Sequence, residues 1–248
     1  MSQIELPVRR IEIEGCYNLR DIGGYATSDD RLTRWGTVFR ADGLHRLPQS
    51  SQQKLLGYSI RTIIDLRRPA ELEISPNVLA RSTALTYLNI SLNKDEKLAQ
   101  SLPDLVDFYK DMLDNSQPQF KLLFETLLLP DSFPFLFHCT AGKDRTGIVI
   151  ALLLGLTNVP AETIAADYAL STEYLRPLFE HIRQQILQEN PDMDMAGFEK
   201  IMASSPEMML ETLEYLDSRY GGARQYLAGL GFSVEQLDYL QESLTETA

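Results

Sequence analysis

Cys139 and Arg145 are separated by five residues in His138-Cys139-Thr140-Ala141-Gly142-Lys143-Asp144-Arg145-Thr146-Gly147. A thiol and a guanidinium at this spacing can serve one anion if the chain between them curls. Gly142 supplies the freedom to curl. The amides of such a loop, continued by the free N–H groups of a first helical turn, form a positively polarised cradle. Arg145 adds a planar fork of donors that matches two phosphate oxygens. A cysteine facing helix amides and a guanidinium is favoured as its thiolate. A thiolate pressed against bound phosphate is a nucleophile in attack position.

The flanking residues are those needed to build that turn. Phe133-Pro134-Phe135-Leu136-Phe137 is a short apolar run ending in polar residues, as a buried strand does at its carboxyl end. Ile148 to Leu154 is apolar enough for a buried helix. Taken singly, a cysteine after a strand is ordinarily a small core residue, and an early helical arginine is ordinarily solvated. The ten-residue string with its Gly and Thr in place outweighs both readings. A nucleotide-binding phosphate loop is excluded, because Phe137 stands where its first Gly belongs and Asp144 follows the Lys. The nucleophile-elbow pattern of serine hydrolases is absent.

The string resembles the signature of the cysteine-dependent protein tyrosine phosphatase superfamily. Its interior resembles the bacterial and fungal branch with dual tyrosine and phosphoinositide activity. Asn18-Leu19-Arg20-Asp21-Ile22-Gly23-Gly24 resembles that branch's amino-terminal Asn-x-Arg-Asp-x-Gly-Gly motif, and Ile63-Ile64-Asp65-Leu66-Arg67 its Asp-Leu-Arg strand end. Weaker likeness, at Asp167-Tyr168 and Tyr226-Leu227 among others, runs to the end of the chain. The resemblance implies an α/β, three-layer tyrosine-phosphatase-like fold. A central, mostly parallel sheet would be flanked by helices, with a helical C-terminal part. It implies one catalytic domain over 1–248, with 158–220 either a helical lid or plain outer-layer helices.

The implied reaction is hydrolysis of phosphomonoesters through a phosphocysteine on Cys139, most readily of phosphotyrosine in proteins. Phosphoinositides or a dual specificity are the alternative. The implied phosphate-binding residues are Thr140, Ala141, Gly142, Lys143 and Thr146, with Thr146 hydrogen-bonding Cys139. Lys143 suits a substrate with a second phosphate. The implied supporting residues are His138, Asp65, Asn18, Arg20 and Asp21, the last two read as an ion pair behind the loop. The general acid has three candidates. In the branch resembled it lies inside the loop, at Asp144. Pro103-Asp104 has the spacing of the separate acid loop of other members, but Asp104 also reads as a helix N-cap. Asp65 is third. Cys16, close to the Asn18 motif, is read as a buried bystander before a redox partner of Cys139. A non-catalytic phospho-ligand module and a rhodanese-like sulfur transferase are the functional rivals.

The 248 residues, 44% of them hydrophobic, can bury a substantial core. A net charge of −12 argues against nucleic acid and against unaided adhesion to anionic membranes. Three histidines without clustered ligand spacing offer no metal site, and no cofactor is implied. Two distant cysteines make no disulfide framework. Residues 1–7 carry no signal-peptide pattern, and the apolar run from Ile148 to Leu156 is too short to span a bilayer. A cytoplasmic enzyme, monomeric and acting on phosphorylated proteins or phosphoinositides, is expected.

Among the remaining elements, Val8 to Glu14 reads as an edge strand or hairpin arm. Strands are expected at Trp35 to Arg40, Thr62 to Leu66 and Tyr87 to Ile90. Helices are expected at Gln49 to Leu56, Asp104 to Leu113 and Gln119 to Leu128. Beyond the catalytic helix they are expected over 161–170, 173–188, 206–220 and 233–245, with an interruption at Pro177.

Overall fold

The apolar run before Cys139 becomes the middle of a five-stranded sheet. The computed structural model describes residues 8–92, 104–191 and 193–247. Its sheet contains β1 (Arg20–Asp21), β3 (Val38–Ala41), β4 (Thr62–Asp65), β5 (Thr86–Asn89) and β6 (Phe135–His138), in the order β1-β3-β6-β4-β5. The four strands other than β1 are mutually parallel, and β1 runs antiparallel to β3. Register places His138 opposite both Ala41 and Asp65, so three strands end together. Parallel α/β sheets bind ligands just outside such carboxyl ends.

Alternation along the strands divides the core in two. Val38, Ile64, Phe135 and Phe137 face one side, while Phe39, Ile63 and Leu136 face the other. The first face is covered by α3 (Leu105–Asn115), α4 (Gln117–Leu127) and α5 (Asp144–Leu156), through Tyr109, Phe120, Phe124 and Ile148 among others. The second is covered by α1 (Gln49–Leu56) and the segment around Leu19 and Leu44. Phe135, Leu136 and Phe137 are wholly buried, each burial contributing about 1.5–3 kcal/mol. Central β6 is thereby held rigidly, and Cys139 is its next residue.

Downstream come α6 (Ala161–Glu189), α7 (Ala196–Met202), α8 (Pro206–Tyr220), α9 (Ala223–Gly229) and α10 (Val234–Leu244). Helix α6 runs unbroken through Pro177, contrary to the interruption expected from sequence. Ser171, Tyr174 and Leu175 bury the turn before the proline, so packing tolerates its missing N–H. Beyond Pro177 no residue of α6 is buried, and none of α7 is. Helices α7 and α9 were not expected, being only seven residues each. The helix over Val234–Leu244 continues into β7 (Thr245–Thr247), which pairs with β2 (Arg31–Thr33). Val8 to Glu14 makes only isolated bridges, Arg10 to Arg20 and Ile13 to Cys16. No helix among the described residues is long and apolar enough to cross a membrane.

Candidate active site

The loop from Cys139 to Lys143 joins β6 to α5 at the sheet's carboxyl edge. Its three middle carbonyls are taken from other segments. Thr140 O accepts from Gly43 N at 2.9 Å. Ala141 O and Gly142 O accept from Asn18 Nδ2 at 3.0 and 3.1 Å, and Gly142 O from Arg40 Nη2 at 2.6 Å. A planar peptide points its N–H opposite its C=O, so pulling the carbonyls outward turns the amides into the cradle. None of the amides of residues 140–143 donates a hydrogen bond among the described residues. Gly142 makes the curl at φ +63, with Ala41 O where a Cβ would lie at 2.1 Å; no other residue fits there.

Behind the loop lies a buried charge cluster. Arg20 donates Nε to Asp167 Oδ1 at 3.0 Å, and Arg40 donates Nη1 to Asp167 Oδ2 at 2.7 Å. Arg20 also donates to Asn18 Oδ1, and Tyr25 donates to Asp167 at 2.9 Å. The expected Arg20–Asp21 pair is therefore not formed. Asp21 instead accepts from Gly23 N and Gly36 N at 2.8 and 2.7 Å, because its neighbours are unpaired turn amides. Asp42 accepts from Tyr17 N and Asn18 N at 2.9 Å each. It also takes the Cys16 thiol at 2.7 Å. Burial and the Asp42 charge push that thiol well above its ordinary value, which makes Cys16 a poor nucleophile.

His138 is buried between strand and loop. Its Nε2 lies 3.2 Å from Asp65 Oδ2 and 2.9 Å from Asn77 Nδ2, and its Nδ1 lies 3.1 Å from Cys139 O. Asp65 also accepts from Arg67 Nη2 at 2.7 Å and Tyr87 at 2.9 Å. Burial alone would raise the Asp65 carboxyl, but His138 and Arg67 overcome it and hold it well below the carboxylate range. Both Asp65 oxygens are thus committed to partners within the sheet end, which supports a structural place for this candidate. Asp104 is exposed and caps α3, accepting from Asp107 N at 2.9 Å. Asp144 opens α5 and accepts from the Tyr109 hydroxyl.

Three loop side chains meet partners the sequence did not disclose. Lys143 is buried and donates to Ile201 O and, at 2.8 Å, Ala203 O. The last carbonyls of α7 lack helical partners and attract a cation, so Lys143 is not a free second cation here. The buried Thr146 hydroxyl meets no partner among the described residues, and the expected bond to Cys139 is not made. Arg145 is gripped at both ends by Glu71, from α2 (Pro69–Ile74), at 2.7 and 2.9 Å. Thr140 also donates to Glu71. Burial would raise the Glu71 carboxyl, but the Arg145 hydrogen bonds hold it well below its ordinary value.

Sequence reading missed Glu71, Asp167 and Tyr109. Asp167 carried only the weaker likeness at Asp167-Tyr168, without a role. Glu71 left a local signal: Pro69 and Glu71 follow the Asp-Leu-Arg strand end as N1 and N3 of a helix at the same sheet edge. Because Glu71 fixes the fork of Arg145, Glu71→Gln is expected to lower kcat on p-nitrophenyl phosphate by about 10-fold. Glutamine keeps the helix cap but loses the charge that answers Arg145, so a lower thermal midpoint should accompany the loss, and kcat is compared well below it. An undiminished kcat would show that Arg145 finds its place without the clamp.

The chain belongs to the tyrosine phosphatase family, whose model matches residues 11–246. A tyrosine-protein phosphatase of Nostoc commune is 35% identical over 218 residues, covering 83% of this chain and 73% of that protein. The triple specificity protein phosphatase PtpB of Mycobacterium tuberculosis is 26% identical over 265 residues, covering 90% and 94%. Among solved structures, the catalytic core of Siw14 aligns with a TM-score of 0.40 and 17% identity, covering 77% of this chain and 94% of that one.

Proposed function

We propose that this chain hydrolyses phosphomonoesters, phosphotyrosine of proteins foremost, by the two-step route its loop permits. Cys139 Sγ attacks phosphorus as the bond to the leaving oxygen breaks, and Asp144 gives that oxygen its proton. The hydroxyl product departs, leaving a phosphocysteine. Water, deprotonated by the same Asp144, then attacks phosphorus and expels the thiolate with inorganic phosphate. Through both steps the free loop amides and the Arg145 fork stabilise charge on the equatorial oxygens. The observation that carries this reading is the outward capture of Thr140 O, Ala141 O and Gly142 O, which leaves the amides beside Cys139 without partners among the described residues.

The names of the Nostoc and Mycobacterium relatives support phosphotyrosine as a substrate. The engagement of Lys143 by α7 weakens the case for a second phosphate, so phosphoinositides and dual specificity stay second. A catalytic thiolate works only when reduced, which favours a cytoplasmic setting. Residues 158–220 divide accordingly: α6 up to Leu175 as outer layer, and the end of α6 beyond Pro177 with α7, whose helical residues are not buried, as the part able to act as a lid.

Phosphate release from phosphotyrosine, phosphoserine and phosphothreonine peptides and phosphoinositide vesicles tests the substrate order. Phosphotyrosine is expected to give the highest kcat/KM. Binding of phosphotyrosine without release would replace the enzyme by a docking module. For the acid, Asp144→Asn should lower kcat on phenyl phosphate by about 100-fold and far less on p-nitrophenyl phosphate, whose leaving group needs little protonation. Asp104→Asn should do neither.

A further inference from the structure

Two buried phenols stand against the candidate acid. Tyr109, from α3, is wholly buried and donates its hydroxyl to Asp144 Oδ1. Tyr168, from α6, has its hydroxyl 2.6 Å from that of Tyr109. The two rings meet edge to face, with centroids 6.1 Å apart. Since the Tyr109 proton is committed to the carboxylate, Tyr168 must donate to Tyr109. Burial and the charge of Asp144 push both phenols far above their ordinary value, so both remain donors at working pH. The Tyr168 ring presses on Gly147, where a Cβ would sit 3.0 Å from Cδ2. The phenol pair is thus seated against the helix that carries Asp144 and Arg145.

We propose that Tyr109 is the positioning residue of the loop's general acid, with Tyr168 holding Tyr109 in turn. The proposal rests on the reading of Asp144 as that acid. The Asp144 side chain is 26% exposed, so nothing but a directed partner prevents it from rotating toward water. A misplaced acid loses near-attack geometry even when its charge is intact. The groups facing Asp144 are Tyr109 from α3, Tyr168 from α6, Lys143 at 3.3 Å, and Arg145 beside it on α5. Of these, Tyr109 donates a hydrogen bond to the Asp144 carboxyl group. Tyr109 can be changed to phenylalanine with volume and charge kept. That substitution removes the orienting hydrogen bond and little else. Turnover of poor leaving groups then falls while that of good ones is spared. A phenol that only supported the core would not tell the two leaving groups apart.

The test compares Tyr109→Phe, Tyr168→Phe, Asp144→Asn and the Tyr109→Phe/Asp144→Asn double variant on phenyl phosphate and p-nitrophenyl phosphate. For Tyr109→Phe, kcat on phenyl phosphate is expected to fall about 10-fold with KM unchanged and little loss on p-nitrophenyl phosphate. The double variant should be no slower than Asp144→Asn alone. Equal losses on both substrates overturn the role of Tyr109. They leave Asp144 standing if Asp144→Asn keeps its leaving-group dependence. Without that dependence the acid reading fails, and the proposal fails with it. Should Tyr109→Phe not fold, Tyr168→Phe is expected to show the same leaving-group-dependent loss at smaller size, and its absence overturns the proposal.

Discussion

Cys139→Ser is expected to lower kcat by roughly 10⁴-fold or more while the cradle still binds phosphate or vanadate. The substitution exchanges sulfur for oxygen at a buried position beside the loop. A serine hydroxyl in that place stays protonated and is a far weaker nucleophile toward phosphorus than a thiolate. The anion site depends on other atoms, the loop amides and Arg145, so binding should survive the loss of turnover. Stopped and steady-state phosphate release measure the first quantity, and thermal shift with vanadate the second. Denaturing mass spectrometry of wild type quenched during turnover should find the phosphoryl group on the peptide holding Cys139. Full turnover by Cys139→Ser would mean that phosphorus is attacked by water directly, and the covalent step would have to be abandoned.

That site was legible in the sequence because its parts are contiguous. Cys139 to Arg145 lie on one strand-to-helix turn, where local chemistry dictates geometry. The central strands were legible too, because Thr62–Asp65 and Phe135–His138 have the apolar, β-branched or aromatic pattern of fully buried strands. Val8 to Glu14, by contrast, makes only isolated bridges, and the short pair Arg31–Thr33 and Thr245–Thr247 was not expected. Partners contributed from far away were not legible. Arg20 was paired with its neighbour Asp21 because adjacency is all a sequence displays, whereas folding brings Asp167 to it from α6. Lys143 looked like a free cation until the end of α7 supplied carbonyls to it. Pro177 looked like a break because the rule for proline is local, while the packing of Ser171, Tyr174 and Leu175 is not. Tyr109 gave no signal at all, being one more apolar-face residue of an amphipathic helix.

Asp167→Asn is expected to destabilise the protein by about 3–5 kcal/mol, because it leaves buried guanidiniums without their counter-charge. At this chain length that corresponds to a thermal midpoint lower by about 10 °C. One carboxylate answers two arginines, each essentially inaccessible to water, and an asparagine would aim amide hydrogens at one of them. The loss reaches the active site by a short path. Arg40 holds Gly142 O, and Arg20 holds the Asn18 side chain that holds Ala141 O and Gly142 O. Loosening them lets the cradle amides turn, and kcat should fall by about 100-fold even below the melting point. The pH dependence gives a sharper check. Burial alone would raise the Asp167 carboxyl, yet Arg20 and Arg40 hold it well below the ordinary range. Its contribution is therefore complete above the unfolded value of about 4 and declines as pH falls below it toward the native value. Asp65 and Glu71 share that direction, but both are present in the two proteins, so their contributions cancel in the comparison. The gap between wild type and Asp167→Asn should be constant near neutrality and narrow in acid. A gap that stays constant through that acid window would mean that Asp167 stabilises by shape and hydrogen bonding, with its charge of no account.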